Sequence, residues 1–165
     1  MLTKCDLGIQ ISDDRRHTSI AAAGFIGDGV VLVELAAYLD GTDPVEAVLR
    51  LKGERTVGKV TVDPHSPAAT AIKQLAKAGV RVVELSSHDV AVAYGQFLDE
   101  LNAGRLKAAS NPMLSAAVQH GTSRALGGAA TWQRRGTAVD TGPLDAATFA
   151  VWAVLNKSGL SPAIY

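Results

Sequence analysis

Residues 7–24 read LGIQISDDRRHTSIAAAG. Leu7, Ile9 and Ile11 alternate with Gly8, Gln10 and Ser12, which is the period of a strand with one apolar face. The polar run Asp13-Asp14-Arg15-Arg16-His17 interrupts the pattern. Apolar and β-branched residues then resume over Thr18–Phe25 and give a second strand. Gly27-Asp28-Gly29 is a turn signal, so Val30–Tyr38 (VVLVELAAY) closes a three-strand meander.

Beyond the meander the periodicity changes. Pro44 stands where a helix starts, with Val45, Val48, Leu49 and Leu51 as its apolar side. Lys59–Asp63 (KVTVD) is a short strand. Ser66 is the expected N-cap of the next helix, with Pro67 in its first turn, Ala68, Ala71, Ile72 and Leu75 as its stripe and Gly79 as its end. Arg81–Leu85 is a fifth strand, and Ser87 is expected to cap a helix running to about Asn102. Asn111-Pro112 opens a helix to about Ser123, and Ala129–Arg134 is a short extended segment. The last helix runs from about Leu144 to Asn156, and both Trp132 and Trp152 are expected in the core. A meander followed by alternating helix and strand is the element order of the ribonuclease H-like fold, an α/β class with a mixed central sheet flanked by helices. A doubly wound nucleotide-binding fold would begin β-α-β instead.

The bulk numbers suit one domain with a real core: 165 residues, 47% hydrophobic and 19% charged. Sixteen basic residues balance sixteen acidic ones, so there is no overall basic surface for nucleic acid. A local basic patch remains compatible with that sum. The single cysteine, Cys5, excludes an internal disulfide and fits a reducing compartment. No apolar run approaches the roughly 18 residues of a membrane span, and MLTKCD lacks a signal-peptide core. A cytosolic location is expected.

Gly53–Lys59 (GERTVGK) has the glycine and lysine spacing of a phosphate loop. The next residue is Val60 rather than Ser or Thr, and the segment leads from helix into strand, the reverse of what that loop requires. Asp63 is a better candidate. It closes a short apolar strand, where α/β sheets present ligand groups, although turn aspartates are common. Asp140 and Asp145 bracket the start of the last helix, where either can serve the helix dipole or meet Asp63 as a metal-binding carboxylate. Carboxylates converging from separate segments can hold two cations roughly 4 Å apart for phosphodiester hydrolysis. The paired arginines Arg15-Arg16 and Arg134-Arg135 are candidate phosphate contacts or solvated loop charges. His65 follows Asp63 by two, and the other histidines lack metal-ligand spacing.

Four stretches together carry a family resemblance: DRRHTSIAAAG, VTVDPHSPAATAIKQLAKAGVRVVEL, AYGQFLDELNAGRL and RALGGAATWQRRGTAVDTGPLDAATFAVWAV. In this order, from about Leu7 to Leu155, the chain resembles the C-terminal nuclease domain of phage terminase large subunits, of the type found in actinobacterial phages and prophages. The resemblance implies a single ribonuclease H-like domain over residues 1–165, without the motor ATPase domain. It implies an endonuclease that cuts concatemeric double-stranded DNA with two divalent cations, magnesium or manganese. It implies partners too: DNA, the terminase ATPase domain, the small terminase subunit and the portal, in the cytoplasm of the bacterial host. The family's second acid falls on Asp63 and its last on Asp140, with Asp145 ranked second because relatives usually carry an apolar residue there.

The resemblance also exposes a departure. The family's first acid, inside the first strand, falls on Gln10. A carboxamide offers an oxygen but no charge, so a site for two dications loses much of its attraction. Asp14 shares a strand face with Gln10 but lies about 13 Å further along, and Asp13 starts on the other face. Asp14 is therefore only a fallback ligand. Three readings follow: a metal-dependent endonuclease weakened at Gln10, an inactive nuclease-fold module for DNA binding or assembly, and an unrelated small-molecule domain whose acids do not converge.

Overall fold

The computed structural model describes residues 2–156. A meander of β1 (Lys4–Ile11), β2 (His17–Gly27) and β3 (Val30–Asp40) leads to α1 (Val45–Glu54), β4 (Thr56–Val62), α2 (Ala69–Lys77), β5 (Val83–Glu84) and α3 (Ser87–Asn102). Then come β6 (Leu106–Ala108), α4 (Pro112–His120), the hairpin β7 (Ser123–Leu126) and β8 (Ala129–Trp132), and α5 (Gly142–Leu155). The main sheet has six strands in the order β5-β4-β1-β2-β3-β6. β1, β2 and β3 pair antiparallel, whereas β4 joins β1, β5 joins β4 and β6 joins β3 in parallel. The sheet is thus mixed, as the element order implied. No helix among the described residues is long and apolar enough to cross a membrane.

The alternation of β1 sorts its side chains between two layers. Leu7, Ile9 and Ile11 join the core built with Val48 and Leu51 of α1 and Ala71 and Leu75 of α2. Gly8 and Gln10 face the opposite layer, where α5 lies across the sheet. A Cβ on Gly8 would stand 2.1 Å from the Ala146 carbonyl oxygen and 2.7 Å from the Ala150 nitrogen. Only glycine lets the helix backbone come this close to a strand. The facing residues are correspondingly small: Ala21 and Ala23 on β2, Ala146, Ala147 and Ala150 on α5. All but the last residue of α5 are buried, which is the signature of a helix enclosed on every side. α3 and α4 cover its outer surface through Phe97, Leu114 and Ala117.

Several local expectations shift. Ser66 does not cap α2, whose N-cap is Ala68 without a side-chain bond. The Ser66 N–H closes a turn onto the Asp63 carbonyl at 3.2 Å, and its Oγ accepts from the Ala68 N–H. Ser86, one residue before the expected Ser87, caps α3 in a reciprocal capping box with Asp89. α5 begins at Gly142 because Pro143 suits its first turn, two residues ahead of Leu144. α4 stops at His120, and the residues after it form β7, a strand that the sequence did not announce; neither did it announce β6. Leu49 is exposed, and the buried side of α1 is Ala47, Val48 and Leu51. Trp132 and Trp152 are buried as expected.

Candidate active site

At the end of β4 the chain turns sharply, and Asp63 is left buried beside the middle of the sheet. Its Oδ1 accepts the backbone N–H of His65 at 2.9 Å, which fixes the carboxylate in the turn. The neighbouring strand contributes Gln10, fully buried on the face that meets α5. From α5 comes Asp145, in the helix's first turn and almost wholly buried. Gln10 Nε2 donates to Asp145 Oδ2 at 3.1 Å. The close approach at Gly8 is what lowers the helix far enough for this contact.

The orientation of the Gln10 amide is decided by its other end. Its Oε1 lies 2.9 Å from the Ile11 N–H, a group that can only donate. The Ser66 hydroxyl is 3.1 Å from the same oxygen. That hydroxyl has one proton and lies nearer the Asp63 carbonyl, at 2.7 Å, so it is the Ile11 N–H that fixes the amide, and the corner turns an N–H towards Asp145. An aspartate here would have offered an oxygen instead.

Asp63 has its own donor side. Arg134 Nη1 lies 3.6 Å from Asp63 Oδ2, with both side chains largely buried. Burial pushes the Asp145 carboxyl up to about 7; Arg134, the Gln10 amide and, least, Arg124 draw it down, and the negative charge of Asp63 pushes it up. The two acids therefore feel each other, and Arg134 acts on both.

Asp140 is held elsewhere. Its Oδ2 accepts from the Tyr38 hydroxyl at 2.9 Å and its Oδ1 from the Gly142 N–H at 2.8 Å. Burial and the Asp140 carboxylate together raise the Tyr38 hydroxyl well above its ordinary range, so the phenol stays protonated. Asp140 lines a second hollow with Ser12, Asp13, Asp14 and Arg134, adjoining the first. Among the acids near the last helix, the structure thus brings Asp145 rather than Asp140 to Gln10. The fallback residue Asp14 is exposed and turned into its own loop, where its Oδ1 accepts from Ser12 Oγ and the Arg16 N–H. Those bonds lower its pKa, the Ser12 contact most.

The arginines divide as well. Arg15, at φ 62°, reaches across to Pro67 O and Thr70 Oγ1 and ties the β1–β2 loop to the start of α2. Arg16 is exposed. Arg134 and Arg135 join Arg124, His65, Ser66, Pro67, Gln133 and Asp13 around a cleft of about 440 Å³. Arg135 pairs with Asp13 at 3.6 Å on the outer rim. Arg124 was not singled out from the sequence, because the strand that carries it was not. The hairpin itself is anchored by Trp132, whose Nε1 donates to Thr148 Oγ1 on α5 at 2.8 Å and whose ring meets Tyr94 and Phe97 edge-on.

A pair of divalent cations asks for several charged oxygen ligands. The pole supplies two carboxylates, Asp63 and Asp145, one with an arginine beside it and the other with an amide N–H upon it. Among the described residues, no three His, Cys, Asp or Glu are grouped closely enough to hold a metal ion. These residues do not fit a two-cation centre.

The mixed six-strand sheet flanked by helices has the ribonuclease H-like fold. Within that class the chain is similar in fold to phage large terminases and their nuclease domains. The large terminase of bacteriophage HK97 superposes with a TM-score of 0.74 at 16% identity, over 93% of this chain and 40% of that one. The large terminase nuclease of thermophilic phage G20c gives 0.69 at 13% identity, over 91% of this chain and 82% of that one. A structure of the G20c nuclease with bound magnesium gives 0.64 at 13% identity, over 88% of this chain and 79% of that one. The chain therefore spans 40% of the length of the HK97 protein. No family model and no curated protein matches the sequence.

Proposed function

We propose that this chain is a nuclease-type domain of a DNA-packaging terminase that engages double-stranded DNA at the cleft beside Asp63, and that its metal-dependent cutting is disabled. The fold likeness to phage terminase nucleases supports the class. The hydrogen bond from Gln10 Nε2 to Asp145 Oδ2 carries the loss of cutting. In the active form of such a site, carboxylates clamp two magnesium or manganese ions that activate water and stabilise the leaving oxygen of the phosphodiester. Here the first corner donates a hydrogen bond where a ligand oxygen is needed. On this reading the partners are DNA, a terminase ATPase domain, the small terminase subunit and the portal, and the setting is the bacterial host's cytoplasm.

A second reading has one observation in its favour. Asp63 and Asp145 interact electrostatically, and a single cation between them would relieve that repulsion. The domain would then be a weakened endonuclease.

Plasmid nicking with added manganese tests both. The native chain and Asp63→Ala are expected to leave supercoiled plasmid intact, and Gln10→Asp to nick it. Cutting by the native chain that Asp63→Ala abolishes would establish the second reading. Equal cutting by native chain and Asp63→Ala would place the chemistry elsewhere.

A further inference from the structure

The cleft beside the acid pole holds more positive charge than its paired arginines account for. Arg134 is nearly buried, with its side chain 16% exposed, and Asp63 stands behind it. The 3.6 Å separation is an ion pair and exceeds hydrogen-bond length. No hydrogen bond from the Arg134 guanidinium to another described residue is present, so its five N–H donors remain unspent. Arg124 is half-buried on β7, one rung from the base of the hairpin; its side chain makes no hydrogen bond or ion pair among the described residues, although its charge reaches Asp145. Gln133 N donates to Thr122 O at 2.7 Å, extending the hairpin by a rung, and Arg124 and Arg134 line the same cleft.

Two guanidiniums in one cleft, both with hydrogen-bond donors to spare, form an anion site. Guanidinium is planar and always charged, and its forked donors match a phosphate's oxygens two at a time. His65 and the Ser66-Pro67 approach to α2 line the same cleft. Asp13, the acid of the rim, is already paired with Arg135. A divalent cation entering to bridge Asp63 to a phosphate would first have to separate Arg134 from Asp63.

We infer that this cleft binds a nucleic-acid phosphate directly through Arg134 and Arg124, with no divalent cation between the phosphate and the acids. Asp63 then acts as the positioning residue for Arg134: it holds the guanidinium at the base of the cleft and leaves its donors outward. The inference rests on the reading of the domain as a DNA-engaging one, and it deepens that reading by naming a metal-free phosphate site.

The test is fluorescence anisotropy of a labelled DNA duplex with the native chain in EDTA, repeated with magnesium at matched ionic strength. Equal affinity is expected in the two buffers. Arg124→Ala and Arg134→Gln should each weaken binding and lower the slope of log affinity against log salt by about 0.9, the value of one lost phosphate contact. Arg134→Lys should restore that slope, because it keeps the charge. Arg124→Ala breaks no ion pair, so it reports on the site even if Arg134→Gln destabilises the fold. Binding that appears only with magnesium, or a salt slope indifferent to both variants, overturns the inference even where plasmid nicking is absent. Binding in EDTA that both variants weaken upholds it even if the native chain proves to nick with manganese.

Discussion

At the scale of single residues, Gln10 is the decisive side chain. Replacing it by aspartate removes the N–H that Asp145 accepts and places a second carboxylate beside a buried one. In EDTA, Gln10→Asp should lose about 3 kcal/mol of stability, the range expected when a buried charge loses its partner. Manganese at about a hundred times its Kd should return about 2.7 kcal/mol to that variant, and should leave the native melting temperature unmoved. Thermal melts with and without manganese measure both shifts. Asp145 makes a separate statement about pH. Its folded pKa, about 7, is raised above the ordinary 3.8. A raised acid contributes stability fully below its unfolded pKa and loses it as pH rises through the folded value. The native chain should therefore weaken between about pH 4 and pH 7, by on the order of 4 kcal/mol from this group. Asp145→Asn should flatten that part of the profile. A profile that rises over the same interval in the native chain, with no difference in Asp145→Asn, would show that Asp145 titrates as an ordinary surface acid.

At the scale of elements, α5 lying on β1 assembles the pole, and Gly8 sets their separation. Gly8→Ala drives a methyl into the backbone of Ala146 and Ala150, neither of which can rotate away. Overpacking against movable side chains costs about 1–3 kcal/mol, so a clash with helix backbone should cost at least about 3 kcal/mol. The displaced helix should also carry Asp145 off Gln10, and the emission of Trp152, buried on that helix, should shift in parallel with the denaturation midpoint. A full-strength native midpoint for Gly8→Ala would mean that α5 does not sit where it is described. This packing also explains which acid was legible. The Leu7–Ser12 alternation and the short strand expected to close on Asp63 are local patterns; they placed Gln10 in β1 and left Asp63 one residue past the end of β4. The choice between Asp140 and Asp145 depends on how far α5 descends and which way its first turn faces. Those follow from the small residues it meets, Gly8, Ala21 and Ala23, which lie far away in sequence. An acid at a helix start reads the same whether it answers the helix dipole or a site. Ser66 shows the same limit: its hydroxyl looked like a cap, but the turn at Asp63 had already placed it against Gln10. β8 lies within the extended segment expected over Ala129–Arg134, but its partner β7 was illegible, because four residues, SRAL, carry little hydrophobic period.

At the scale of the whole molecule, zero net charge separates recognition from attraction. Sixteen basic and sixteen acidic residues give no net charge to draw in DNA, so the binding proposed above has to come from the local arrangement at the cleft. Three arginines line it, and one of these, Arg135, is exposed and paired with Asp13. Each phosphate neutralised on a duplex contributes a salt slope of about −0.9, so two or three contacts predict a slope between about −2 and −3. The affinity of the isolated chain for a duplex should thus fall roughly tenfold to fiftyfold between 50 and 200 mM salt, rather than by the thousandfold or more expected of six to ten contacts. Anisotropy titrations across that salt range give the slope directly. A value steeper than about −5 would demand a second basic surface, to which exposed cations such as Arg16, Lys73, Lys77, Arg81 and Lys107 could contribute. A value near −2.5 would confine recognition to the cleft, so that in a larger assembly most of the grip on DNA would have to come from other parts.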